Sequence, residues 1–269
     1  MPDFQENLKS DLIKVVLVLE YEGTNYCGFQ FQDNVKTVQD EIEKALLKLT
    51  GEKLRVISAS RTDSGVHARG QVVCYRTAKR LEKERIVQGL NYYLPQDIAV
   101  LAAYKVDSGF NIQKDAVSRE YKYLIWQNRT RSPLQRAFAH QVMGDLDIAV
   151  MNQACELLVG EHDLSSFITD YSQSIIKSTV KTVISAGVEK EGFSVVFNIA
   201  ANAFLPHQVR NTVGALIRVG LGKITVNDFR SLMEARKPGL AGPTVPAQGL
   251  YLMKVNYPRP LGEYDDEDL

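Results

Sequence analysis

Residues 58–71, "SASRTDSGVHARGQ", place Arg61, Asp63 and His67 in one short connection between two apolar runs. Two chemistries compete for Asp63. Its carboxylate could cap nearby backbone N–H groups while Gly65 supplies a left-handed turn conformation. Alternatively it is a catalytic carboxylate, with Arg61 close enough in a tight turn to meet it bidentately and keep it ionised for work as a nucleophile or base. His67, just ahead of a strand, could be a general base or a hydrogen-bonded positioning residue. Spacing provides no serine or cysteine nucleophile with an oriented base. "GTNYCG" lacks the lysine of a phosphate-binding loop and the Gly-rich helix start of a dinucleotide site.

Two later stretches also hold candidates. In "SREYKYLIW", strand alternation puts Arg119, Tyr121 and Tyr123 on one face, and the Tyr121 ring could either pack at the core edge or stack on a base. In "ANAFLPHQVRNTVGALIRVG", helical spacing puts Arg210, Gly214 and Arg218 near one face, opposite Val209, Val213 and Leu216. A solvated helix face would explain these arginines, and so would a ligand on Arg210.

These residues need a scaffold, and periodicity outlines one. The first strand is expected at 13–21, then a Gly-rich loop, then a helix opened by Thr37 with Asp40 three residues on and closed at Gly51. Strands at 54–59 and 71–76 follow, then a helix at 82–90 and a strand at 98–104. The order is that of a ferredoxin-like βαββαβ unit. A second unit repeats it: a strand at 119–126, a helix through Ile148, Met151, Cys155 and Leu158, a strand pair at 176–188 and 192–199, a long helix, a shorter one capped by Thr225, and a strand at 249–255. The fold class expected is α+β. Its two ferredoxin-like halves would form one extended antiparallel sheet with helices on one side and a cleft on the other. The N-terminal half would span 1–106 and the C-terminal half 107–262, with an acidic, disordered tail at 263–269.

Composition bounds the function. The chain has 269 residues, 45% of them hydrophobic, enough for a large core. No apolar stretch is long enough to cross a membrane and no targeting segment is evident, so a cytoplasmic protein is expected. Cys27, Cys74 and Cys155 lie far apart, and the four histidines have no metal-ligand spacing; buried free thiols and no metal are expected. Lys plus Arg and Asp plus Glu both number 32, but five acids sit in the last seven residues, so the body carries excess positive charge that could face a polyanion.

Together, "LEYEGTNYCGFQFQ", "TVQDEIEKAL", "SRTDSGVHARGQVV", "NYYLPQDIAV", "SREYKYLIW", "LVGEHDLSSF", "ANAFLPHQVRNTVGALIRVG" and "GLYLMKVNYP" resemble the tRNA pseudouridine synthase A family over nearly the whole chain. The resemblance implies a cofactor-free isomerase that converts uridine to pseudouridine in the anticodon stem-loop of tRNA, at positions 38 to 40, and works as a homodimer. It further implies that Asp63 is the catalytic aspartate, that Arg61 pairs with it, that Tyr121 meets the target base, that Arg210 approaches Asp63, and that Leu250 is the apolar residue beside the pocket. His67 would help bind substrate. Arg69, Arg76, Lys79, Arg80, Lys114 and Lys122 are candidate RNA contacts, because helical RNA is gripped by backbone charge and shape. Two departures stand out: Phe110-Asn111-Ile112-Gln113-Lys114 replaces the family's usual F-H-A-R-F, and Ser60 and Ser64 replace a glycine and an alanine.

Overall fold

A computed structural model of the chain describes residues 12–169 and 178–265. The chain is α+β and divides into two compact units, one built from the first 117 residues and those from Lys254 onward, the other spanning Ser118–Met253.

In the first unit, β1 (Ile13–Tyr21) alternates so that Ile13, Val15, Leu17, Leu19 and Tyr21 are all buried on one face. Helix α1 (Val38–Thr50) starts where the Thr37 side chain accepts from the Asp40 N–H at 3.3 Å, and stops at Gly51, whose φ of 74° only glycine adopts without strain. After β2 (Ile57–Ser58) and β3 (His67–Thr77), α2 (Lys83–Tyr93) ends ahead of Pro95, and β4 (Ile98–Val106) completes the order. β4 and β3 flank β1 antiparallel, and β2 pairs with β3. The resulting order, β4-β1-β3-β2, is that of a split βαβ unit.

The strand expected at 54–59 shrinks to two residues for a local reason. Side chains of α1 take over its backbone groups: Glu43 accepts from Val56 N–H at 3.0 Å, and Gln39 donates to the Val56 carbonyl at 3.1 Å. With those groups satisfied by a helix, no ladder forms there.

The boundary between units lies at 117/118, not at 106/107. Lys14 donates to the carbonyls of Ser108 and Phe110, Tyr257 donates to the Ile112 carbonyl at 2.8 Å, and Phe110 packs on Tyr257 and Tyr264. These contacts hold 107–117 to the first unit. The acidic end behaves likewise at its start. Asp265 pairs with Lys83 and accepts from the Lys105 N–H at 2.8 Å, so the described part of the expected tail is attached; its last four residues lie outside the described residues.

In the second unit, β5 (Ser118–Gln127) pairs with β9 (Ser194–Ala201), β9 with β8 (Val180–Glu191), and β8 with β7 (Gly160–Asp163), all antiparallel. The expected strand start at 176 lies outside the described residues; the strand runs from Val180. Two strands escaped the sequence reading. β7 lies in what was read as a loop, and β6 (His140–Val142) pairs with β5 in parallel, an exception to the antiparallel expectation. Both are four residues or fewer, too short for period-2 alternation to register. Helices α3 (Ile148–Glu156), α4 (Gln208–Gly220) and α5 (Val226–Glu234) follow, and β10 (Leu250–Asn256) is the last strand. Thr225 and Asp228 form a reciprocal capping box at the start of α5.

Candidate active site

The RTDSG stretch forms a tight turn at Asp63. Val66 N–H donates to the Asp63 carbonyl at 3.1 Å, and Gly65, two residues after Asp63, has a φ of 78°, the pattern of a type II turn with glycine where a positive φ is required. Asp63 is thus the first residue of the turn and stays half-buried.

The Gly-rich loop of residues 22–30 is the other half of this construction. Gly23 lies so close to the turn that a Cβ there would be 2.0 Å from the Val66 carbonyl oxygen, and one on Gly28 would be 2.9 Å from that of Thr62. Phe29 N–H donates to the Thr62 carbonyl at 3.1 Å, Gly65 N–H to that of Tyr26 at 3.3 Å, and the Ser64 hydroxyl to that of Tyr26 at 3.1 Å. From β1, whose register shifts between Leu19 and Tyr21, the Tyr21 hydroxyl shares a 2.7 Å hydrogen bond with that of Thr62. Gln71, fully buried on β3, donates to the Ser60 carbonyl at 2.7 Å. The turn is held from three sides, and this rigidity fixes where its carboxylate can point.

His67 is buried, and its Nδ1 accepts from the Gly23 N–H at 3.1 Å. The neutral ring therefore carries its proton on Nε2, and one nitrogen is spent on joining the loop to the strand, as a positioning residue would do. Arg61 is exposed.

The second unit gathers a different set. Tyr121 is buried on β5 with its ring edge-on to Phe204, centroids 5.0 Å apart. Arg210, in the first turn of α4, donates through Nε to the Val245 carbonyl at 2.8 Å. Arg210 and Arg218 do not lie on a solvated face. The segment 242–245 covers it: a Cβ on Gly214 would be 2.8 Å from the Pro243 carbonyl oxygen, and Gly242 leaves space for the Arg218 guanidinium. Asn211 fastens the same segment, donating to the Phe167 carbonyl at 2.7 Å and accepting from the Thr244 hydroxyl at 2.6 Å. Tyr123, next along the Tyr121 face, donates to the Pro246 carbonyl at 2.7 Å. Burial pushes its phenol far above the usual value, and the nearby Arg210 charge opposes this only in part. Leu250 is buried at the start of β10, after Gly249, which lies flat on Tyr123.

Of the candidate RNA contacts, Arg69, Arg76, Lys79, Arg80 and Lys114 are exposed and Lys122 is half-buried on β5. Arg76 donates to the Ser108 carbonyl at 3.4 Å. Cys27 is exposed, contrary to the expectation of buried thiols, because it sits on the outer side of the 22–30 loop; Cys74 and Cys155 are buried, which raises both thiols, Cys155 to about 12. Sequence reasoning missed Tyr26, Phe204, Asn211 and Thr244. Tyr26, raised by burial and by its hydrogen bond to Asp97, stays a phenol that ties the 22–30 loop to the loop before β4. Among the described residues no cluster of His, Cys, Asp or Glu could hold a metal ion, and no helix is long and apolar enough to cross a membrane.

The geometry can be set against known proteins. A family model described as tRNA pseudouridine synthase matches residues 17–113 and 154–258. A tRNA pseudouridine synthase A of Acetivibrio thermocellus is 43% identical over 243 residues, covering 90% of this chain and 99% of the relative. One from Colwellia psychrerythraea is 40% identical over 246 residues, covering 91% and 94%. A third, from Thermoanaerobacter, is 40% identical over 243 residues, covering 90% and 99%. The matched segments contain both the braced Asp63 turn and the α4 segment with Arg210, and the chain belongs to the tRNA pseudouridine synthase family, an isomerase of uridine in tRNA.

Proposed function

We propose that the protein converts uridine to pseudouridine in the anticodon stem-loop of tRNA, at positions 38 to 40, with Asp63 as the catalytic carboxylate, and that it does so as a cytoplasmic homodimer. The observation that carries the reading is the Asp63 turn, braced on one side by Gly23 and Gly28 and on another by Gln71. A surface aspartate in an ordinary turn needs no such bracing.

The reaction explains why. The C1′–N1 bond of the uridine breaks, the uracil turns, and C5 bonds to C1′; the proton on C5 is lost and N1 gains one, so the product is an isomer and no oxidant is consumed. The target nucleotide must leave the base stack to expose C1′. The Asp63 carboxylate then either attacks C1′, giving a covalent adduct, or removes the C2′ proton, giving a glycal. Either role requires an ionised oxygen held at the sugar with water kept away. Tyr121 is assigned to stacking on the target base with Leu250 as its apolar neighbour, and Arg210 to supporting charge during the reaction. His67 holds the turn. Arg61 is assigned to pairing with Asp63 and keeping its carboxylate ionised, and Arg69, Arg76, Lys79, Arg80, Lys114 and Lys122 to the RNA backbone.

The test is pseudouridine mapping in anticodon stem-loop transcripts incubated with wild type and Asp63→Asn (D63N), with the mass of the same preparations measured in solution. D63N should lose at least about 100-fold in turnover, the usual scale for general-base or covalent catalysis, while binding RNA within a few fold. Turnover above about one percent of wild type would remove Asp63 from the chemistry, and a mass of one chain would remove the dimer.

A further inference from the structure

We propose that the second unit carries a separate subsite for a single unstacked nucleotide of the bound RNA, in a pocket of about 460 Å³ whose lining includes Trp126, Arg131, Arg136, His140, Gln141 and Gln248. The proposal rests on the reading that the protein acts on tRNA. It names a place where that RNA is gripped away from the reacting base.

The lining has the chemistry of a nucleotide. Arg131 and Arg136 are its charged side chains, both are exposed, and no carboxylate lines the pocket, so an anion is the favoured occupant. Burial lowers the proton affinity of His140, which leaves its ring neutral near pH 7 and the positive charge with the two guanidiniums. The Trp126 Nε1–H is buried and has no partner among the described residues. Buried donors are almost always satisfied, and this one becomes reachable for a base carbonyl only as the side chains over it move aside. Gln141 spends its amide N–H on the Asn128 carbonyl at 2.9 Å, which leaves its side-chain oxygen for a ligand donor. The volume lies within the usual range for ligand pockets. RNA-binding proteins commonly combine guanidinium forks with an aromatic plane and amide groups to hold unstacked bases.

The wall is ordered before any ligand arrives. Gln135 N–H donates to the Ser132 carbonyl at 3.2 Å, and Phe138 and Ala139 N–H donate to that of Gln135 at 3.0 and 2.9 Å. This double turn leads directly into β6, whose parallel pairing with β5 aligns His140 with Ile125 and Gln141 with Trp126. Trp126 lies five residues along β5 from Tyr121, about 16 Å at the rise of a strand. A nucleotide in the pocket is therefore a different one from a base stacked on Tyr121.

Trp126 is the chain's only tryptophan, so the pocket contains its own reporter. Titrating the full-length protein with an anticodon stem-loop whose target uridines are replaced by cytidine should change tryptophan fluorescence saturably. In Arg131→Gln/Arg136→Gln (R131Q/R136Q) the change should require roughly 10-fold more RNA, and the log–log salt dependence of binding should be shallower by about 0.7, the loss of one single-stranded phosphate contact. With an unaltered stem-loop the same variant should raise KM and leave kcat within about twofold. Matching circular dichroism spectra would establish that the exposed substitutions leave the fold intact. The proposal is overturned if RNA binds without moving the fluorescence, if inorganic phosphate alone gives the same change at equal phosphate concentration, or if the variant keeps wild-type KM. Loss of isomerisation by wild type would instead defeat the functional reading, while the fluorescence titration still reports on the pocket.

Discussion

At the scale of single residues, the proposed site would separate groups that position from groups that react. His67 and Gln71 have their polar atoms committed to the backbone of the loop and the turn, whereas the Asp63 side chain is carried on a turn that others hold. Tyr121 is proposed to stack on the target base, and the contribution of its ring can be separated from that of its hydroxyl. Tyr121→Ala should lower kcat/KM by roughly 5- to 150-fold, because stacking of a base on an aromatic ring contributes about 1–3 kcal/mol. Tyr121→Phe keeps the ring and its edge contact with Phe204, so its loss should be much smaller. Steady-state kinetics on one stem-loop substrate distinguishes the two, and equal losses would assign Tyr121 to a role other than stacking.

At the scale of elements, the Asp63 turn is braced by a neighbouring loop. Gly23→Ala would drive a methyl into the Val66 carbonyl, and backbone cannot yield as a side chain can. The variant should lose roughly 1–3 kcal/mol of stability, the usual cost of overpacking, together with at least about 10-fold in kcat as the turn shifts. Gly51→Ala is the control. Its φ is also positive, but nothing lies within 4 Å, so it should cost about 1–2 kcal/mol of stability through the left-handed backbone and leave kcat unchanged. Denaturant melts and single-turnover rates on both variants check this contrast. In the second unit the 242–245 segment plays the corresponding part, fastened to α4 by Arg210, Asn211 and the missing side chain of Gly214.

At the scale of the whole molecule, a formal net charge of zero conceals an uneven distribution. The acids at the end of the chain offset a body that is otherwise basic, and one of them, Asp265, is already paired with Lys83. Attraction to RNA should therefore be local, through exposed arginines and lysines, and sensitive to salt. Binding of a tRNA stem-loop should weaken linearly in a log–log plot against salt, with a slope of about 0.7 to 0.9 per phosphate neutralised. Filter binding across a salt series measures this directly, and a flat plot would remove backbone charge as the source of affinity.

Much of this was legible in the amino-acid sequence because the signals are local. Thr37 and Gly51 mark the ends of α1 through capping chemistry, the alternation of β1 follows from the strand period, and Asp63 followed by Gly65 announces a turn on its own. Tertiary structure decided whatever depends on residues distant in sequence. The strand expected at 54–59 lost most of its ladder to Glu43 and Gln39 on α1, and β6 became a strand by lying beside β5. The segment 107–117 joined the first unit through Lys14 and Tyr257. Proximity along the chain constrains backbone conformation, whereas which polar groups meet is settled by packing, where nearly every buried donor and acceptor finds a partner from wherever the fold supplies one.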